Sequence, residues 1–142
     1  MKHNIQIING PNLNLLGKRE PQIYGTKSFE TYFEELEAAF PDVNLYFFQS
    51  NHEGSIIDKI QDVGFRFDGI VLNAGALSHY SYSIADAIIS ITAPVAEVHI
   101  SDIYQREEFR KISVTGVNCV KLISGKGLEG YREAVQYLVD NH

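Results

Sequence analysis

Five short runs of the chain are almost continuously apolar: Ile5–Ile8, Val43–Phe48, Gly69–Leu72, Val95–Ile100 and Cys119–Ile123. They are rich in Val, Ile and Phe and do not alternate strictly with polar residues, which is the pattern of strands covered on both faces. Between them the apolar spacing becomes helical. Phe29, Phe33, Leu36 and Phe40 recur at i, i+4, i+7 and i+11, with Glu30, Glu34, Glu35 and Glu37 interleaved. Ser28 is placed to cap that helix and Pro41 to stop it. Ile56, Ile57, Ile60 and Val63 form a second stripe, closed by Gly64. A third, with Ile84, Ala85, Ile88 and Ile89, ends before Pro94, and Leu128, Tyr131, Val135, Leu138 and Val139 mark the last helix. A further short helix is expected near Arg106–Lys111.

Strands alternating with helices predict an α/β fold with a parallel sheet. Five strands suit a flavodoxin-like three-layer sandwich, sheet order 2-1-3-4-5, better than the six of a full dinucleotide fold. At 142 residues, without repeat, linker or low-complexity tract, one domain spanning residues 1–142 is expected. Apolar residues make up 44%, enough for a core without staples. The single cysteine, Cys119, excludes an internal disulfide and any multi-cysteine metal site, and its apolar neighbours point to packing. No apolar run approaches the ~18 residues of a membrane span. Met1-Lys2-His3-Asn4 leads straight into the first strand without a signal-peptide core, so a cytoplasmic location with no membrane partner is expected. The net charge, 12 − 18 = −6, weighs against nucleic acid as a partner.

In such sheets ligands bind beyond the carboxyl ends of the strands. Polar residues gather there: Asn9, Asn12 and Asn14 after the first strand, Gln49-Ser50-Asn51-His52-Glu53 after the second, Asn73 with Ser78 and His79 after the third, and Glu97-Val98-His99-Ile100-Ser101 at the fourth. One polar loop end is ordinary; four on one edge indicate a ligand site. The connection Gly10–Lys27 is too long for an ordinary βα loop of roughly 2–6 residues, and is either a surface excursion or a lid. It carries Arg19 and Tyr24. A guanidinium beside a phenol favours the phenolate, so such a pair can serve as a base.

His99 follows Glu97 by two positions, on the same side of a strand. A carboxylate there fixes the ring and suits it to act as a general acid; a structural histidine is the bland alternative. Arg106 and Arg110, four apart on the expected short helix, would share a face and hold an anionic or hydroxylated ligand. With Glu107 and Glu108 beside them, a solvated charged face is the rival reading. Ser124-Gly125-Lys126-Gly127 lacks the full phosphate-loop pattern, and Asn73-Ala74-Gly75-Ala76 lacks the dinucleotide fingerprint. His52, His79 and His99 form no local pair, and no metal is expected.

These residues resemble the type II 3-dehydroquinate dehydratase family. The likeness runs through Ile8-Asn9-Gly10-Pro11-Asn12-Leu13-Asn14-Leu15-Leu16-Gly17, Arg19-Glu20-Pro21, Tyr24-Gly25, Gln49-Ser50-Asn51-His52-Glu53-Gly54, Asn73-Ala74-Gly75-Ala76, His79, Asp86-Ala87, Glu97-Val98-His99-Ile100-Ser101 and Arg106-Glu107-Glu108-Phe109-Arg110. The resemblance implies dehydration of 3-dehydroquinate to 3-dehydroshikimate, a step of the shikimate pathway, by anti elimination through an enolate and without a cofactor. It assigns Tyr24 as proton acceptor, His99 as proton donor, Arg19 as transition-state stabiliser, Asn12 as holder of a water near the enolate oxygen, and Glu97 as the partner of His99. Asn73, His79, Ile100, Ser101 and Arg110 match substrate-binding positions, with Arg106 a further candidate. Asp86 matches a residue contributed by a neighbouring subunit of a homododecamer, a tetramer of trimers. The chain departs from the family pattern at Leu77, Ala85, Ile103-Tyr104-Gln105 and Ile112–Lys121. Two other readings are a flavodoxin-like electron carrier, for which Gly10–Leu16 lacks a Ser/Thr-rich phosphate loop, and an inactive relative that keeps only the fold.

Overall fold

Each strand divides its side chains between two helical layers, and that division decides which residues reach the site. The computed structural model describes residues 2–142. Strands β1 (His3–Asn9), β2 (Val43–Gln49), β3 (Gly69–Asn73), β4 (Val95–His99) and β5 (Lys121–Ser124) form one parallel sheet in the order β2-β1-β3-β4-β5. The helices are α1 (Pro21–Tyr24), α2 (Phe29–Ala39), α3 (Glu53–Val63), α4 (Tyr82–Ser90) and α5 (Glu129–Asn141). The α/β class and the strand order are those expected from the sequence.

Ile5, Ile7, Val71, Ala96 and Val98 pack with Phe29, Tyr32 and Leu36 of α2 and Tyr131, Val135 and Leu138 of α5. Ile8, Ile70, Leu72 and Val95 pack with Ile56, Ile60 and Val63 of α3 and Ile84, Ala87 and Ile88 of α4. Strand alternation extends these two sets to the polar ends. Asn9 and Asn73 belong to the α2/α5 face, while Glu97 and His99 belong to the α3/α4 face. The register aligns the ends: Asn9 lies opposite both Gln49 and Asn73, and His99 lies opposite Ser124.

The helix boundaries follow their caps. The Ser28 hydroxyl accepts from the Thr31 amide to open α2, and the Ser81 hydroxyl does the same from Ile84 for α4. Two expectations change. The fifth strand begins at Lys121 rather than Cys119, because Gly116–Asn118 is a 3-10 turn whose last bond runs from the Cys119 amide to the Gly116 carbonyl. Cys119 is half-buried, its thiol donates to the Thr115 carbonyl at 3.4 Å, and burial pushes its pKa up. The expected helix over Arg106–Lys111 is instead two single 3-10 turns, Ile103–Gln105 and Glu108–Arg110, with Arg106 extended between them. The Asp102 carboxylate caps the first turn by accepting from the Tyr104 amide at 3.0 Å. The extended backbone at Arg106 (φ −107°, ψ −164°) then ends it. Arg106 and Arg110 therefore share no helix face.

Gly64 closes α3 where Ile91 crosses it: a Cβ there would lie 2.3 Å from Ile91 Cγ2 and 2.6 Å from its Cβ. Ile91 is branched at the contact and cannot swing away. Gly64→Ala is expected to destabilise the fold by about 1–3 kcal/mol through overpacking. Gly54→Ala, which meets nothing within 4 Å, should stay within about 1 kcal/mol of the parent. Urea midpoints of the two variants test this, and equal midpoints would remove the close-approach account.

Candidate active site

The floor of the site is a buried polar chain. Asn73 Nδ2 donates to Tyr131 Oη at 2.9 Å, and Tyr131 Oη donates to Asn9 Oδ1 at 2.8 Å. The Gly75 amide donates to Asn73 Oδ1 at 3.1 Å, so both ends of the Asn73 amide are fixed. The Gly10 amide donates to the Asn73 carbonyl at 2.7 Å. A Cβ on Gly10 would stand 2.5 Å from the Ala74 carbonyl oxygen, which is why the chain turns here on a glycine.

The long segment 10–27 is pinned down along its length. Leu13 and Leu16 are buried under it. Asn12 adopts the left-handed conformation (φ 70°), and its amide donates to Asn51 Oδ1 at 2.9 Å. Gln49 Nε2 donates in turn to Asn51 Oδ1 and to the Gly10 carbonyl, at 3.1 and 3.2 Å. The second strand's polar end thus holds the turn that carries Asn12. Further on, Pro21 opens α1, whose last residue is Tyr24.

Two guanidinium groups meet the Tyr24 hydroxyl. Arg106 Nη1 donates to Tyr24 Oη at 2.8 Å and to Ser101 Oγ at 3.2 Å; Arg19 Nη2 donates to Tyr24 Oη at 3.4 Å. The Arg19 guanidinium also stacks 4.5 Å above the Tyr24 ring. The sequence pairs Tyr24 with Arg19, five residues away. It gives no sign that Arg106, 82 residues on, makes the shorter contact.

On the other helical face, Glu97 is fully buried and His99 is 5% exposed. His99 Nε2 and Glu97 Oε2 are 2.6 Å apart, which leaves Nδ1 as the ring nitrogen free for proton transfer. The Ser113 and Thr115 hydroxyls also donate to the Glu97 carboxylate. His79 lies beside His99, ring centroids 6.0 Å apart and 26° from parallel, with Nδ1 2.7 Å from the Ile112 carbonyl. Partial burial, then the neighbouring positive groups, pushes the His79 pKa below its ordinary value against the Ile112 hydrogen bond.

One cleft gathers these groups. It is narrow, about 80 Å³, and is lined by Asn12, Arg19, Tyr24, Asn73, His79, His99, Ile100, Ser101, Arg106 and Arg110 among others. Among the described residues that line it there are three arginines and two histidines and no carboxylate, although the chain as a whole carries −6. Glu97 stands behind His99. Asp86 is exposed on α4 and is not among the lining residues. The end of β4 is braced from β5: Ser124 Oγ accepts from the Ile103 amide at 3.2 Å, and the Gly125 and Gly127 amides donate to the Ser101 and Ile100 carbonyls. Ser124–Gly127, unremarkable as a motif, is a brace for the cleft wall. A larger hollow of about 720 Å³ between α2 and α5 is lined by Lys121, Glu129, Arg132 and Glu133 and assembles no such chemistry. Among the described residues no group of three or more His, Cys, Asp or Glu is placed to hold a metal ion, and no helix is long and apolar enough to cross a membrane.

Comparison with known proteins shows the chain's family. The Dehydroquinase class II family matches residues 3–139. The 3-dehydroquinate dehydratase of Clostridium botulinum (strain Okra / Type B1) is 50% identical over 141 residues, covering 98% of this chain and 96% of that protein. The crystal structure of type II dehydroquinase from Butyrivibrio crossotus superimposes with a TM-score of 0.94 at 47% identity, covering 97% of this chain and 98% of that one. That from Propionibacterium acnes gives 0.92 at 38% identity, covering 99% of each chain.

The lowered pKa of His79 has a consequence for stability. Between that value and the ordinary 6.5, the unfolded chain binds a proton that the folded chain refuses. Stability therefore rises with pH through this window and is lost as pH falls below about 6.5. His79→Asn should flatten the acid side of a plot of melting temperature against pH between 7 and 5. Parallel slopes for the two proteins would show that His79 is not the group responsible.

Proposed function

The chain belongs to the class II dehydroquinase family, and we propose on that premise that it dehydrates 3-dehydroquinate to 3-dehydroshikimate by anti elimination through an enolate. This is the family's step in the shikimate route to aromatic amino acids, carried out here by one catalytic domain in the cytoplasm without a metal or organic cofactor. The observation that carries the reading is that a phenol with two guanidinium donors and a carboxylate-backed imidazole line the same cleft.

Tyr24, as the phenolate, takes a proton α to the substrate ketone, and the bond's electron pair moves into the carbonyl to give the enolate. Arg106 and Arg19 aim positive donors at the oxygen that carries the charge before the proton arrives, and Arg19 stabilises the transition state. Asn12 holds a water against the developing enolate oxygen, where a preorganised donor in a water-poor site counts most. Collapse of the enolate expels the C1 hydroxyl as His99, oriented by Glu97, gives it a proton. Water leaves and the conjugated enone remains. The Ile100 and Ser101 amides and the Ser101 hydroxyl take the substrate carboxylate, and Asn73, His79 and Arg110 take its remaining polar groups. The cationic lining favours such an anion over neutral sugars or cationic ligands.

Asp86 acts in the site of a neighbouring subunit within a homododecamer built as a tetramer of trimers. Its surroundings support this. Tyr82 and Ile89 on α4 are 71% and 68% exposed, and Val117 beside that helix is 80% exposed. Asn118 Nδ2 ties the Val117 turn to α4 through the Ala85 carbonyl at 2.9 Å. An apolar face of this kind around an acidic residue is what a partner subunit would cover.

Incubation with 3-dehydroquinate, followed by the absorbance of the conjugated enone with and without chelator, tests the activity. Turnover unchanged by chelator is expected, and absence of product would overturn the reading. Tyr24→Phe keeps the ring and removes the ionisable oxygen, so kcat should fall by about 10²–10⁴-fold with substrate binding little changed. His99→Ala should lose kcat over the same range. Parent-like turnover in either variant would strip that residue of its role.

A further inference from the structure

The segment Ile112–Gly116 takes no part in the steps above, yet it touches one histidine of the cleft and the carboxylate that backs the other. The Ile112 carbonyl accepts from His79 Nδ1. Two residues on, the amides of Val114 and Thr115 donate to the Ser78 carbonyl at 2.8 and 3.3 Å, docking the segment on the turn that carries His79. The Ser113 hydroxyl accepts from the Gly116 amide at 3.0 Å, donates to Glu97 Oε2 and lies 3.3 Å from the Thr115 hydroxyl. The Thr115 hydroxyl, on a fully buried residue, donates to the other oxygen, Glu97 Oε1. A Cβ on Gly116 would stand 2.7 Å from Leu122 Cδ1 and 3.1 Å from Glu97 Oε2, so the segment presses directly on the carboxylate.

A buried carboxylate held only by one imidazole is free to rotate about its last bond. With a hydroxyl on each oxygen as well, it has a single orientation, and the ring bonded to it has one too. We propose that Ser113 and Thr115 are positioning residues for the elimination step: their hydroxyls hold the Glu97 carboxylate so that it fixes the His99 ring against the leaving hydroxyl. The inference rests on His99 being the acid. Of the substrate contacts named above only His79 meets this segment, through the Ile112 carbonyl and not through either hydroxyl, so loss of a hydroxyl falls on the chemical step and not on binding. Outer partners of this kind typically alter activity by ten- to a hundred-fold.

The test is steady-state kinetics of Ser113→Ala and Thr115→Val, with Thr115→Ser as the conservative control and thermal melting to establish that each chain is folded. Each of the first two should lose kcat by about ten- to a hundred-fold with KM within about twofold of the parent. Thr115→Ser restores the donor and should recover kcat to within about threefold. Folded Ser113→Ala with parent kcat overturns the proposal, as does Thr115→Ser impaired as deeply as Thr115→Val. Should Thr115→Val fail to fold, Ser113→Ala, at a partly exposed site, decides alone. His99→Ala assayed alongside separates the two levels. A crippled His99→Ala beside an intact Ser113→Ala removes only this inference, whereas parent-like His99→Ala removes the acid itself.

Discussion

A carboxylate with no access to water is the constraint around which this fold is arranged. Glu97 lies in the middle of the sheet, paired in register with Leu72 on one side and Leu122 on the other. Burying an ion costs several kcal/mol unless donors replace the lost water. Here the donors come from three places: the ring of His99 two residues along the strand, and the hydroxyls of Ser113 and Thr115 after it. The segment carrying those hydroxyls must therefore dock at one height beneath α4, and its docking on Ser78 fixes the turn bearing His79. One desolvated charge thus determines where both histidines of the cleft stand.

The opposite wall obeys a different economy of charge. Arg19 and Arg110 each have a carboxylate partner at the rim, Glu20 and Glu107, while Arg106 is in no ion pair among the described residues. Its guanidinium goes to Tyr24 and Ser101 instead. The acidic groups that make the chain negative lie outside the lining, so the cleft is a cationic hollow in an anionic molecule. A phenol placed between two guanidinium groups and a cleft suited to a carboxylate substrate are two results of the same arrangement.

What the sequence discloses follows from the range of each signal. The five apolar runs and four amphipathic stripes identify the fold because periodicity is local, and the strand order is legible only as the one that five strands suit better than a six-stranded dinucleotide fold. The polar strand ends point to the edge where the cleft lies for the same reason: in a parallel sheet every carboxyl end reaches one side. Glu97 and His99 are legible as a pair because alternation places positions two apart together. Tyr24 and Arg106 are not, since nothing local links residues that β2, β3 and β4 separate along the chain. The short helix drawn over Arg106–Lys111 fails because spacing alone does not reveal that Arg106 is extended between two 3-10 turns, the first capped by Asp102. The roles of Gln49 and Asn51 in holding the Asn12 turn, and of Tyr131 in holding Asn73, are likewise long-range and carry no motif.

The stretch Ile112–Lys121, one of the segments the sequence reading sets apart from the family's pattern, also carries the two hydroxyl donors to Glu97. That expectation and the docking are compatible once the demand is stated physically. What the carboxylate requires is two hydroxyl protons at two points and a glycine where the backbone crosses Glu97; the same docking brings the Ile112 carbonyl to His79. Side chains facing outward from that frame, such as Ile112 and Val117, answer to no such demand and are exposed. Divergence on the outer face of this segment is therefore free to track whatever covers it. The inner atoms remain tied to a buried charge whose remaining hydrogen bond comes from the His99 ring.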